Sequence, residues 1–265
     1  MGFFPNYDRE GPGLPPDAPR KTSLPRFWEV LSRDFWDVFR AGFLALVGCL
    51  PFFVGVAFAL YSHVLIFAPL FGLVGGALAG PELCALADTI LRGLRDEPGF
   101  WWHTYRRVWK RSAKASLLPG AVGGGLLAAQ FFLLFHAGAL HLNAATGAAL
   151  AAGIILVLGL SLYLWPQLAL MELTFGQMLK NAALLFIGQL PRSLAALAIM
   201  GGYWGLILRF FTLAVTLLPL TNFWVPALPA VFLIYPGLEQ NFHIEETLRE
   251  REASARRARQ AQTKN

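Results

Sequence analysis

The sequence predicts an all-α, polytopic membrane helix bundle, with about six transmembrane helices and two or three interfacial amphipathic helices. Three observations carry this. Of 265 residues, 56% are hydrophobic and only 14% charged, and mean hydropathy is +0.52, whereas soluble domains carry about a quarter charged residues. Residues 41–80 and 115–171 contain no Asp, Glu, Lys or Arg, and one span needs only ~20 apolar residues. The basic residues flank these runs, as membrane orientation requires. The composition excludes a disordered chain, a collagen, a coiled coil and a disulfide-rich scaffold. The net charge of +6 therefore points to the lipid bilayer as partner and not to nucleic acid.

Residues 1–22 are rich in Pro and Gly and read as a disordered cytoplasmic tail. A cleavable signal is not expected, because the polar N-terminal stretch is too long for a signal n-region and the first apolar run too long for an h-region. A single membrane domain then covers 23–244. It opens with an interfacial helix at 24–39, where Phe27, Trp28, Leu31, Phe35 and Phe39 recur at helical spacing between Arg26, Arg33 and Arg40. The first uncharged run splits at Tyr61-Ser62-His63 into spans at 41–60 and 64–91. A second interfacial helix, 98–117, is bounded by Pro98-Gly99 and Pro119-Gly120. Its apolar side is expected to carry Trp101, Trp102, Tyr105, Val108, Trp109 and Ala113.

The second run gives spans at 119–137 and 147–171. Residues 175–190 read as a third interfacial helix, followed by spans at 193–217 and 223–240. The charged tail, 245–265, pairs Glu245 with Arg249 and Glu252 with Arg256 at i,i+4 spacing. In this parse every basic cluster falls on one side. The loop at 92–114 has seven Lys or Arg, and the opposite loops at 61–63, 138–146 and 218–222 have none. By the positive-inside rule both termini are cytoplasmic.

A family pattern runs from Gly80-Pro81 through Leu91-Arg92-Gly93 and Arg95-Asp96-Glu97 into Phe100-Trp101-Trp102 and the basic aromatic helix. Leu164-Trp165-Pro166 and Leu179-Lys180-Asn181-Ala182-Ala183-Leu184 continue it. Over roughly 35–245 the chain resembles the YesL-like family of small bacterial integral membrane proteins, a domain of unknown function. The resemblance implies a plasma-membrane protein of Gram-positive type, with an accessory role beside carbohydrate uptake. It carries over no catalytic residues. Gly80-Pro81-Glu82-Leu83 and Trp165-Pro166-Gln167-Leu168 also suggest an internal repeat of the kind seen in transporters.

Candidate sites are few. Gly72, Gly76 and Gly80 sit four apart, as do Gly120/Gly124 and Gly201/Gly205. This spacing serves close helix packing, either within the bundle or across a homodimer. Glu82 lies ten residues before Arg92, ~15 Å along a helix, which reads as mid-membrane. An acid there is structural glue, with Gln167 as its partner, or a proton or substrate site. Asp88 is expected nearer the edge, solvated or paired with Arg92. Arg209 either snorkels to the far interface or serves Glu82. Trp101, Trp102, Arg106, Arg107, Lys110, Arg111 and Lys114 are expected to contact inner-leaflet lipid or a cytoplasmic partner.

His136 and His141 do not share a helix face, and Cys49 and Cys84 lie inside apolar runs without metal spacing. No metal and no cofactor is expected. No phosphate-binding loop, zinc-protease or nucleophile-elbow motif occurs in the sequence. The reading is a non-enzymatic multi-pass membrane protein with no catalytic residues, accessory to a carbohydrate uptake system and its permease subunits. The alternative is a small secondary transporter using Glu82 at mid-membrane. The oligomeric state is left open.

Overall fold

The computed structural model describes residues 23–97 and 99–246, apart from the side chains of residues 211 and 213–215. The described residues form eight helices and no strand: α1 Ser23–Ser62, α2 Phe67–Arg95, α3 Trp101–Phe135, α4 Ala144–Leu170, α5 Phe175–Gly188, α6 Leu190–Arg209, α7 Phe211–Thr221 and α8 Trp224–Phe242. The protein is an all-α membrane bundle. By length and apolarity α1 to α4 can each cross a membrane, and α5 with α6, bent by 98°, makes a fifth span if counted as one. The sequence parse had six. The tail at 1–22 and the Arg249 and Glu252/Arg256 pairings lie outside the described residues.

The first correction concerns α1. The interfacial helix at 24–39 and the span at 41–60 are one continuous 40-residue helix, ~60 Å long at 1.5 Å per residue, twice a ~30 Å hydrocarbon core. Its charges all precede residue 41. No glycine or proline falls at 39–41 to break the helix, so the change from polar to apolar surface does not end it. Val38, Ala41, Ala45 and Cys49 are buried in one 3.6-residue stripe across the junction.

α3 repeats the design. The expected helix at 98–117 and span at 119–137 form one 35-residue helix, with Pro119 inside it. Proline removes one backbone hydrogen bond but is tolerated where packing compensates, and Gly120 beside it packs on Gly76. The buried stripe of α3 is Tyr105, Val108, Ser112 and Ser116, while Trp102 and Trp109 are exposed. The expected apolar side holds at Tyr105 and Val108, while toward Pro119 the buried residues are the small Ser112 and Ser116.

α2 packs antiparallel between α1 and α3. A Cβ placed on Gly72, Gly76 or Gly80 would meet backbone oxygen of Gly124, Gly120 or Ser116, in each case within 3.0 Å. These glycines serve packing within the bundle. Gly201 and Gly205 face open space. At the far end of the bundle, His63 Nδ1 lies 2.9 Å from His136 Nε2, tying the α1–α2 turn to α3. His136 Nδ1 lies 3.0 Å from the Phe132 carbonyl, to which it donates.

The C-terminal third departs most from expectation. The span expected at 193–217 breaks at Phe210. Tyr203 OH lies 3.0 Å from Thr221 Oγ1 and 2.9 Å from the Asn222 carbonyl. A straight helix would hold residues 203 and 221 ~27 Å apart, so α6 and α7 form a hairpin. Buried Asn222 builds the next elbow. Its Oδ1 accepts from the Trp224 N–H and its Nδ2 donates to the Pro219 carbonyl. The expected span at 223–240 becomes α8, which runs antiparallel along the charged half of α1. Phe232 packs on Phe27 and Trp224 on Phe35, at 5.4 and 5.3 Å between ring centres. α8 carries Pro229 and Pro236 and ends in Glu239-Gln240-Asn241, which leaves too short an apolar stretch for a crossing.

Residues 175–190, expected as a lateral helix, supply α5, opened by a reciprocal Thr174–Gln177 capping box. The two halves of the suggested repeat fold differently. Gly80-Pro81 leads on to one long helix, whereas Trp165-Pro166 leads on to the bent pair α5–α6.

Candidate functional site

The polar residues singled out in the sequence do not converge. Glu82 bonds to α3: Tyr105 OH donates to Oε2, and the Trp109 indole N–H donates to Oε1 at 2.8 Å. Its aliphatic stem lies against Gly48 of α1. Gln167 is fully buried, and its amide donates to the Tyr163 carbonyl of its own helix, so it is not the partner of Glu82. Arg209 sits at the tip of the α6–α7 hairpin, 5.4 Å from the Phe210 ring centre.

Gly80 faces Ser116, so antiparallel pairing sets Glu82 level with about Lys114. The charges on α3 end at Lys114, while on α1 the neighbour of Glu82 is Gly48, eight residues past the last charge, Arg40, so Glu82 stands at the charge limit of α3 and within the uncharged half of α1.

On the side of Glu82 toward Arg92 the charged ends of α1, α2 and α3 pack into one body. Its core includes Val30, Val38, Ile90, Leu91, Tyr105 and Val108, with Leu168 and Leu228 closing it from α4 and α8. Ion pairs lace its tip. Arg26, nearly buried, donates to the Leu94 carbonyl at 2.9 Å and to Asp96 at 2.7 Å. Arg33 bonds both Asp34 and Asp96. Arg92 reaches Asp88 at 2.7 Å and Glu97 at 3.1 Å, so the expected Asp88–Arg92 pair is present, with Asp88 buried. Asp96 holds the left-handed conformation that ends α2. A cleft of about 350 Å³ opens among these groups, bordered by Asp37, Thr89, Arg92, Trp101 and Tyr105.

Burial pushes the Asp96 carboxyl up, but its bonds from Arg26 and Arg33 outweigh this and hold it below the ordinary carboxylate range. A lowered folded value means that the ion pairs stabilise the fold above the unfolded value, about pH 4, and that this is lost as pH falls through the folded value. The unfolding temperature of the detergent-solubilised protein is thus expected to drop as pH falls below about 4. Asp96→Asn should start lower at neutral pH and show a shallower acid loss. An acid profile identical in wild type and variant would count against this assignment.

On α3, Arg106, Arg107, Lys110 and Lys114 are exposed. Arg111, also exposed, reaches back to the Ala169 carbonyl at the end of α4, a cation on a helix C-terminus. Among the described residues no group of three or more His, Cys, Asp or Glu is placed to hold a metal ion. The sequence reading missed Tyr105 and Trp109 as partners of Glu82. Their one-turn spacing on α3 was visible, but nothing local ties them to a residue more than twenty positions away.

No family model matches the chain, and no curated protein or solved structure is significantly similar to it.

Proposed function

We propose that this chain is a non-enzymatic accessory protein of the plasma membrane. Its charged body would lie in the cytoplasm and dock a membrane partner. The observation that carries this reading is that α1, α2 and α3 each extend charged halves beyond one end of the apolar bundle, where they pack into one folded body. A translocation path needs polar groups facing a route through the apolar part. Glu82 instead has both oxygens engaged by α3, and the α2–α3 seam is closed by glycine packing.

Orientation follows from charge. Arg26, Arg33, Arg40, Arg92, Arg106, Arg107, Lys110 and Lys114 belong to the charged end, while residues 63–66 and 136–143 at the other end carry no Lys or Arg. The positive-inside rule then makes the charged end cytoplasmic. Ser23 and the end of α8 share that end, because α8 runs antiparallel to the first half of α1. The YesL-like resemblance adds carbohydrate uptake as the system served and permease subunits as the partners. The exposed basic face Arg106, Arg107, Lys110 and Lys114 supplies a docking surface.

The test is affinity purification from native membranes in mild detergent, with mass spectrometry of the proteins recovered. Permease subunits should be recovered in stoichiometric amount, and lost when Arg106, Arg107 and Lys110 are changed to Glu in a protein that still purifies folded. Recovery of the chain alone from intact membranes would sink the accessory reading.

A further inference from the structure

Arg40 is the last charge of α1 before its uncharged half. On one side, bordered by Asp37 rather than by Arg40 itself, lies the charged cleft. On the other an apolar groove of about 230 Å³ runs between Phe39, Phe43, Leu44 and Trp102. Trp101 borders both spaces. The Arg40 guanidinium sits 5.6 Å from the Trp101 ring centre. The Trp101 indole N–H is buried and has no acceptor among the described residues, a costly state for a donor that a ligand can relieve.

The cleft is acidic: Asp34, Asp37, Asp96 and Glu97 border it against Arg33 and Arg92. The arginines are engaged by Asp34, Asp96, Asp88 and Glu97. Asp37 reaches Arg40 at only 3.9 Å, the outer limit of an ion pair, and both side chains are well exposed. Phe43 and Trp102, large apolar side chains on the groove, are also exposed, where the helix passes from charged to apolar surface.

We propose that this junction binds one glycerophospholipid with a primary ammonium head group, of the phosphatidylethanolamine class. The head group carries a phosphate and an ammonium on a short arm. Asp37 and Arg40, neighbours at i,i+3 on one helix face, offer a carboxylate and a guanidinium at matching separation. The ammonium takes Asp37 at the acidic cleft. The phosphate takes Arg40 and gives the Trp101 N–H its acceptor. One acyl chain lies in the apolar groove. A phosphatidylglycerol has no cation for Asp37 and brings its negative charge to an acidic cleft, so it is disfavoured. A choline head group has no N–H to donate. The inference rests on the membrane setting and this geometry, not on the accessory role, so its failure leaves the co-purification experiment untouched.

The test uses the full chain, stripped of lipid in mild detergent and titrated with dioleoyl phosphatidylethanolamine or phosphatidylglycerol under native mass spectrometry. One phosphatidylethanolamine per chain should bind about tenfold more tightly than phosphatidylglycerol, the scale of one charged hydrogen bond. Asp37→Asn should erase the preference, and Arg40→Gln should weaken both lipids. Trp101→Phe, which keeps a ring but removes the N–H, should also weaken both. Glycerophosphoethanolamine, which lacks acyl chains, should compete poorly. Equal binding of the two lipids, or a preference unchanged in Asp37→Asn, overturns the proposal. If Asp37→Asn does not fold, undiminished binding in both Arg40→Gln and Trp101→Phe overturns it equally.

Discussion

Replacing Gly76 with leucine is expected to prevent α2 and α3 from packing, at a cost of about 3 kcal/mol or more. A Cβ at Gly76 meets the carbonyl oxygen of Gly120, and one at Gly120 meets the carbonyl oxygen of Gly76. A clash with a flexible side-chain tip is relieved by rotation, but one with backbone requires the helices to separate. Inside lipid no hydrophobic effect draws them back, since acyl chains solvate apolar surface as well as a neighbouring helix does. Gly76→Ala should also destabilise, by less. Gly123→Ala is the internal control: its position meets nothing within 4 Å, and alanine favours helix over glycine by roughly 0.5–1 kcal/mol. Thermal unfolding in detergent checks the series. Gly76→Leu melting alongside Gly123→Ala would show that the two helices do not touch there.

The second large effect is expected at Glu82, whose stem rests on α1 and whose carboxylate is held by α3. Glu82→Ala leaves Tyr105 OH, on a residue only 4% exposed, and the Trp109 N–H without their acceptor. An unsatisfied buried donor costs about 1–3 kcal/mol. Glu82→Gln should cost less than Glu82→Ala, since its carbonyl still accepts from one donor while its NH₂ opposes the other. A double-mutant cycle with Tyr105→Phe should give a coupling of about 1 kcal/mol or more. Additive effects would remove the bond from the fold. Unchanged stability in Glu82→Gln together with loss of a measurable flux would revive the transporter alternative.

The apolar halves of α1 to α3 and the whole of α4 were legible, because uncharged run length reports membrane crossing directly. The Gly72/Gly76/Gly80 spacing pointed to close packing, but the same spacing at Gly201/Gly205 faces open space, so spacing alone does not say which glycines meet a neighbour. Helix continuity was not. Hydropathy changes at Arg40 and at Lys114, but the backbone hydrogen bonds that define a helix are blind to whether its surface faces lipid or water. The proline in Leu118-Pro119 read as a break, yet α3 runs through it.

The hairpin at Phe210 carries no glycine or proline at its turn. What closes it, Tyr203 against Thr221 and Asn222, joins residues whose pairing exists only once the chain has folded back. For Glu82 the sequence supplied a residue of notable chemistry but the wrong partner. Gln167 resembled it in local motif, whereas Tyr105 and Trp109 share its space.

The glycine seam is also a set of weak hydrogen bonds. At Gly72–Gly124 and Gly76–Gly120 each residue directs a Cα–H toward the other's carbonyl oxygen. Such contacts contribute roughly 0.5–1 kcal/mol each. They act without releasing water, so they do not fade on cooling as apolar burial does. They also lock the register. Sliding α3 by one residue would carry the carbonyls of Gly120 and Gly124 away from the glycines that make room for them. Because α2 and α3 run on past the apolar region, that register sets where Tyr105 and Trp109 meet Glu82. Every charged group beyond them is aligned by glycines some 20 Å away along the helix, at 1.5 Å per residue.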